Sequence, residues 1–192
     1  MIPVYAELEH FDRIDFTASP LPLGEYEKCS FSSCNFSGTD FSGVKFIDCS
    51  FSVCNLSMVK LGNTAFRDTS FTECKMLAMH FDDCSPFGLA FTFTDCALHN
   101  SSFLKTKIPK TRFSRCNLEE TDFSECDLTG AVFDRCDLNR SKFSHTNIEK
   151  ADFRTAFNYS IDPEQNRLKK AHFSLPEAAG LLDKYDIVIE SC

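Results

Sequence analysis

The chain has no tryptophan. It has no apolar run of the roughly 18 residues that span a bilayer, so no membrane partner is expected. Its first ten residues lack a basic stretch followed by an apolar one, so no signal peptide is expected. It also lacks a surplus of positive charge. The formal net charge is −8, which argues against a direct nucleic-acid partner held by a basic surface. What is present is unusual: 21 Phe and 11 Cys among 192 residues. With 43% hydrophobic and 25% charged residues, the composition is that of a folded chain of one domain or a small pair. So many Phe and Cys do not suit an ordinary enzyme core.

A period of five organises the chain. Apolar residues fall at Phe31, Phe36, Phe41, Phe46, Phe51, Leu56, Leu61, Phe66, Phe71, Met76 and Phe81. A second block runs Leu98, Phe103, Ile108, Phe113, Leu118, Phe123, Leu128, Phe133, Leu138, Phe143, Ile148 and Phe153. Upstream, Phe11, Phe16, Leu21 and Tyr26 keep the first phase. A five-residue period fits neither a helix nor a flat strand. Two positions before each centre stands a small or compact residue, as at Cys116, Thr121, Cys126 and Ala131. The position before the centre is often Asp or Asn, whose short side chains bond nearby backbone groups at corners. A chain that turns every five residues closes a square coil after twenty, and stacked coils bond backbone to backbone about 4.8 Å apart.

The runs Cys116-Asn117-Leu118-Glu119-Glu120, Thr121-Asp122-Phe123-Ser124-Glu125 and Ala151-Asp152-Phe153 resemble the pentapeptide-repeat family. That resemblance implies an all-β fold, a right-handed quadrilateral β-helix over residues 9–157. About 29 units give a little over seven coils and a rod of roughly 35 Å.

Ten cysteines sit at the small inward position: Cys29, Cys34, Cys49, Cys54, Cys74, Cys84, Cys96, Cys116, Cys126 and Cys136. Successive ones face different walls, so they do not converge as zinc ligands do, and no metal or cofactor is expected. Cys34, Cys54 and Cys74 share one wall, and Cys96, Cys116 and Cys136 share one wall. Cysteine acts here as a small hydrophobe, and so many free thiols favour a reducing, cytoplasmic compartment.

The two blocks differ in register by two residues, so an insertion is expected near residues 84–95. Pro86 falls where a core residue belongs, and Phe87, Phe91 and Phe93 compete to point inward. A bulge at a corner is the plain reading, and a protruding contact patch is the functional one.

The repeat is expected to end after Phe157, with residues 158–192 forming a turn, a capping helix and a closing strand. Ser174 and Glu177 have capping-box spacing, and residues 186–190 read as the strand. The helix carries Leu175, Ala178, Leu181, Leu182 and Tyr185, and the strand carries Ile187 and Ile189. This ending covers the open solenoid and resembles the tail of the Qnr-type group, which implies a homodimer contact through these residues.

No catalytic constellation is visible. His10, His80, His99 and His145 fall at outward sites on differing walls, and no nucleotide-binding, nucleophile-elbow or metal-histidine spacing occurs. The acids are unevenly spread. Residues 1–100 carry a net −7 and residues 101–192 a net −1. If the insertion preserves wall order, one wall carries Asp40, Asp82, Asp83, Asp122 and Glu125, and the adjoining wall Asp15, Glu119, Glu120 and Asp137. The other two walls are close to neutral in total.

The chain resembles the Qnr-type, MfpA-type and microcin- or albicidin-immunity pentapeptide proteins. That resemblance implies a non-enzymatic mimic of duplex DNA that binds DNA gyrase or topoisomerase IV and protects it from inhibitors such as quinolones or peptide toxins. The alternative is a scaffold or adaptor that binds another protein through its flat walls. Continuous acidic strips favour mimicry. Isolated charges beside an exposed apolar patch favour an adaptor.

Overall fold

The computed structural model describes residues 3–190. The chain winds as a β-helix of four flat walls. Short parallel strands form two of them. One sheet holds β1 (Val4–Glu7), β3 (Gly24–Glu27), β5 (Lys45–Ile47) and β7 (Ala65–Arg67) in that order. The other holds β2 (His10–Asp12), β4 (Ser30–Ser32), β6 (Ser50–Ser52), β8 (Thr69–Thr72), β9 (Phe91–Thr94), β10 (Arg112–Ser114) and β11 (Val132–Asp134). Elsewhere the coils meet through single parallel bridges such as Asn35↔Asn55 and Asp122↔Lys142.

Large side chains fill the interior in columns. Wall 1 stacks Phe11, Phe31, Phe51, Phe71, Phe93, Phe113, Phe133, Phe153 and Phe173, each ring 4.6–5.3 Å from the next. Wall 2 carries Phe16, Phe36, Leu56, Met76, Leu98, Leu118 and Leu138. Wall 3 carries Leu21, Phe41, Leu61, Phe81, Phe103, Phe123 and Phe143. Wall 4 carries Tyr26, Phe46, Phe66, Ile108, Leu128 and Ile148. All of these except Phe11 and Phe173 are buried. Rings on neighbouring walls meet edge to face, as Phe31 and Phe36 do at 5.7 Å and 72°. Both arrangements suit the aromatic quadrupole.

The small inward position has a second duty. Its side chain donates to a carbonyl of the preceding coil, as from Cys49 Sγ to Tyr26 (3.2 Å), Thr64 Oγ1 to Phe41 (2.7 Å) and Ser141 Oγ to Leu118 (2.7 Å). Cys, Ser and Thr share this role because each is compact and carries one donor. The Asp and Asn before each centre accept the N–H two residues on, as Asp40 does from Ser42 (2.8 Å) and Asp122 from Ser124 (2.8 Å). The corner residue after that is left-handed. Only Gly38, Gly43, Gly88 and Gly130 meet this need with glycine. Elsewhere residues such as Arg13, Met58, Glu120 and Lys150 adopt positive φ. A non-glycine residue there is disfavoured by about 1 kcal/mol, which coil-to-coil bonding offsets.

The insertion keeps wall order. Phe71 pairs with Phe93 and His80 with Ser102, a step of 22 residues instead of 20. Of the competing aromatics, Phe93 joins wall 1. Phe91 takes the small inward site, buried above Thr69, and Phe87 stays 75% exposed. Phe93, stacked between Phe71 and Phe113, is thus a rung of the ladder.

Stacking also runs one coil past residue 157. Asn147 bridges Arg167, Asp152 bridges His172, and Phe173 lies 5.3 Å from Phe153. The expected helix is a 3-10 turn, Pro176–Leu181, followed by a second at Asp183–Tyr185. Leu175 precedes the first turn without a side-chain cap, so the Ser174–Glu177 box does not form. Glu177 instead accepts the Asn158 N–H at 3.4 Å. Residues 186–190 form no strand. Asp186 adopts φ 49°, and no sheet edge of the described chain pairs with the segment that follows it.

Candidate binding walls and C-terminal cap

The eight candidate acids lie on walls 2 and 3, which adjoin. On wall 3 the outward column before the centres reads Asp40, Lys60, His80, Ser102, Asp122, Lys142. Acid and base therefore alternate, because each coil aligns with the next at a fixed step. Ser42 hydrogen bonds, with Lys60 nearby, hold the Asp40 carboxyl below its ordinary range. Asp82 lies 3.6 Å from His80 Nδ1, and its Oδ1 is buried without a hydrogen-bond partner. Asp83 is exposed, and its carbonyl accepts the Asn63 N–H at 2.8 Å. Glu125 lies 3.5 Å from Lys105.

On wall 2, Glu119 accepts a hydrogen bond from Asn139 at 2.9 Å, and Glu120 pairs with Arg140 at 3.2 Å. Asp137 accepts the Asn139 N–H (3.0 Å) and the Asn158 amide (2.9 Å). Glu119, Glu120, Asp122, Glu125 and Asp137 come together across two successive coils. Beside them, Glu120 and Asp122 line a shallow groove of about 450 Å³ with Arg140 and Lys142. Asp40 stands coils away from this cluster. The acids thus form one patch and outlying positions, with bases between them, and not an unbroken strip.

The C-terminal cap presents an apolar surface. Leu175 is 91% and Val188 86% exposed, and Leu182, Tyr185, Ile187 and Ile189 are exposed as well. Ala178 is half-buried, and Leu181 packs against the core. Lys184 fastens the cap to the last coil through Asp162 (2.8 Å) and Glu164 (2.6 Å). This clasp had no sequence signal, since its partners lie some twenty residues apart outside the repeat pattern.

Ten cysteines are free and buried. Burial pushes the thiol up at Cys49, to about 11, and at Cys126, to about 12, so these two stay protonated near neutrality. No helix among the described residues is long and apolar enough to cross a membrane.

The family profile described as pentapeptide repeat region matches residues 25–92 and 89–157. Among solved structures, a trypsin-treated variant of QnrB1, described as a plasmid-mediated fluoroquinolone resistance protein, aligns with TM-score 0.59 at 16% identity. The alignment covers 96% of this chain and 99% of that one. A second trypsin-treated QnrB1 variant aligns with TM-score 0.57 at 16% identity, over 98% and 100%. At this identity the likeness is one of fold. A search of curated protein sequences finds no match.

Proposed function

The chain belongs to the pentapeptide-repeat family, and on that premise we propose that it is a non-enzymatic binding protein whose acidic patch docks on the basic DNA-binding surface of a type II topoisomerase, DNA gyrase or topoisomerase IV, and protects it from inhibitors. The observation that carries this reading is the convergence of Glu119, Glu120, Asp122, Glu125 and Asp137 on two adjoining walls of a straight rod. Fixed carboxylates on a rigid support steer association with a basic surface. Two copies joined by the apolar C-terminal cap, through Leu175, Ala178, Leu181, Leu182, Tyr185, Ile187 and Ile189, extend the rod into a duplex-length dimer. The fold shared with QnrB1, itself described as a fluoroquinolone resistance protein, supports the reading.

The bases set between the acids favour a second reading, an adaptor that binds another protein through the same walls and the exposed cap. The experiment is a supercoiling assay with purified gyrase, with and without a quinolone, alongside direct binding. Protection that is lost in the Glu119→Lys, Glu120→Lys, Glu125→Lys variant is the expected result. Absence of gyrase binding by the unaltered protein favours the adaptor.

A further inference from the structure

Wall 4 changes character along the rod. In its C-terminal half it carries Lys107, Lys110, Lys150, Lys169 and Lys170, all exposed and none within 4.0 Å of a carboxylate among the described residues. The two acids on this stretch are already engaged. Asp127 accepts from the Thr129 N–H (3.0 Å), the Thr129 hydroxyl (2.6 Å) and Asn147 (3.2 Å). Glu149 is held by Arg167 at 2.7 Å. The five lysines are therefore free of ion pairs among the described residues, although Asp127, held by neutral donors, stands in register with Lys107.

Their placement is ordered. Lys110, Gly130, Lys150 and Lys170 occupy the same left-handed corner of successive coils. At the strand spacing, Lys110 and Lys170 stand roughly 14 Å apart along the axis. A Cβ on Gly130 would lie 3.7 Å from Lys110 Cγ, so the Lys110 stem leans over the glycine toward Lys150. At the foot of this ridge the inserted loop takes the place of one wall-4 repeat and lifts Phe87 into solvent. The Arg67 guanidinium lies 5.2 Å from the centre of its ring and holds one face, leaving the other open. Grooves of about 370 and 390 Å³ flank the loop at Leu89, one bordered by Lys110 and Asp68 and the other by Lys105, Lys107 and Asp82.

An open aromatic face beside a track of unpaired cations is the combination that holds a single nucleic-acid strand: a base stacks on the ring and phosphates follow the charges. We propose that the C-terminal half of wall 4, with Phe87, binds single-stranded nucleic acid. The net charge of −8 does not forbid it. The acidic patch lies on walls 2 and 3, and wall 2 is opposite. About 10 Å of interior plus the side chains of both walls separates the wall-2 acids from wall 4, beyond a screening length of about 8 Å at physiological salt. Wall 3 adjoins wall 4, and at their shared corner Glu125 is matched by Lys105 at 3.5 Å. The inference is independent of the topoisomerase reading, since it uses other residues.

The test is fluorescence anisotropy of the full chain with labelled oligothymidylate, the matched duplex, and polyglutamate as competitor. Micromolar binding at low salt is expected. With four phosphates engaged, it weakens about 50-fold between 50 and 200 mM salt. The Lys110→Glu, Lys150→Glu, Lys170→Glu variant loses binding at least about tenfold, and the milder triple Gln variant loses less. Phe87→Ala weakens single-strand binding about tenfold. No binding at 50 mM salt, or binding indifferent to the lysine variants, overturns the proposal. Equal affinity for duplex with no effect of Phe87→Ala overturns the single-strand assignment. Displacement by polyglutamate as effective as by unlabelled oligonucleotide assigns the wall to an acidic protein instead.

Discussion

The Phe93 ring stacks on Phe71 at 5.3 Å and 11° from parallel, although 22 residues separate them. The two extra residues are thus absorbed before the ladder resumes, in the loop that exposes Phe87. The same alignment sets Cys96 over Cys74, with Cys96 Sγ donating to Phe71 and Cys74 Sγ to Phe51, both at 3.5 Å. Two cysteine triads become one column from Cys34 to Cys136.

Removing Pro86 and Phe87 together restores a 20-residue coil. The shortened protein is expected to keep its circular dichroism spectrum and to lose no more than about 1 kcal/mol, since both residues are exposed. Removing Pro86 alone leaves the ladder one residue out of step and is expected to unfold everything after it. Urea titration of both variants checks this.

Ladder truncation is expected to be costly. Phe113→Ala removes a fully buried ring stacked between Phe93 and Phe133, for a loss of about 3–5 kcal/mol. Phe87→Ala, at the surface, changes stability by less than about 0.5 kcal/mol. Equal losses in denaturant melts contradict the stacking order described here.

At the inward small site, donor and volume both matter. Cys49→Ser keeps a donor toward the Tyr26 carbonyl, 3.2 Å from the thiol. It is expected to be better tolerated than Cys49→Val, which leaves that buried acceptor with one partner fewer, for about 1–3 kcal/mol. The ten buried thiols are expected to resist a thiol reagent at pH 8 in the native protein and to react in denaturant.

The pH response follows from the corners and the clasp. Hydrogen bonds from Thr17 hold Asp15 below its ordinary range. Arg154 does the same for Asp152, and Lys184 for Asp162 and Glu164. A carboxyl lowered in the folded state contributes stability that is present above its unfolded pKa, about 4, and lost as pH falls through the folded value. At Lys184 burial opposes the charge, but the bonds to Asp162 and Glu164 outweigh it and raise the ammonium. Its contribution is full below about pH 10 and fades as pH rises through the folded value. The thiols of Cys49 and Cys126, raised in the fold, stay protonated where those of the unfolded chain ionise above about pH 8.5, so thermal melts are expected to be level from about pH 5 to 8 and to fall on either side. Lys184→Met is expected to release the cap, seen as faster amide exchange in residues 176–185.

If the cap joins two copies, Ile187→Glu with Ile189→Glu is expected to convert a dimer to a monomer with the β-helix intact. Light scattering and circular dichroism on the same sample check it. A monomeric mass for the unaltered protein at micromolar concentration removes the dimer from the proposal.

The five-residue period determined the walls by itself. Phe or an aliphatic residue at each centre and a compact residue two before it, often with Asp or Asn one before the centre, leave the square coil as the conformation that buries both inward residues. Wall membership of Asp40, Asp122 and Glu119 followed from counting. The tail was legible only in part. Phe173 lies on the ladder's own phase, yet Asn158 and Pro163, two of the three centres between it and Phe153, broke the apolar signal, and the coil there is held by backbone bridges that composition does not reveal. Charge shows the division most clearly. Sequence gave a sum, −8, and that sum argued against any basic surface. Only the fold decides which charges become neighbours. It sets Glu120 against Arg140 and Glu149 against Arg167, and leaves Lys110, Lys150 and Lys170 together on one corner. Coulomb interactions depend on distances that a twenty-residue step creates, so a surface of either sign is a property of the tertiary structure.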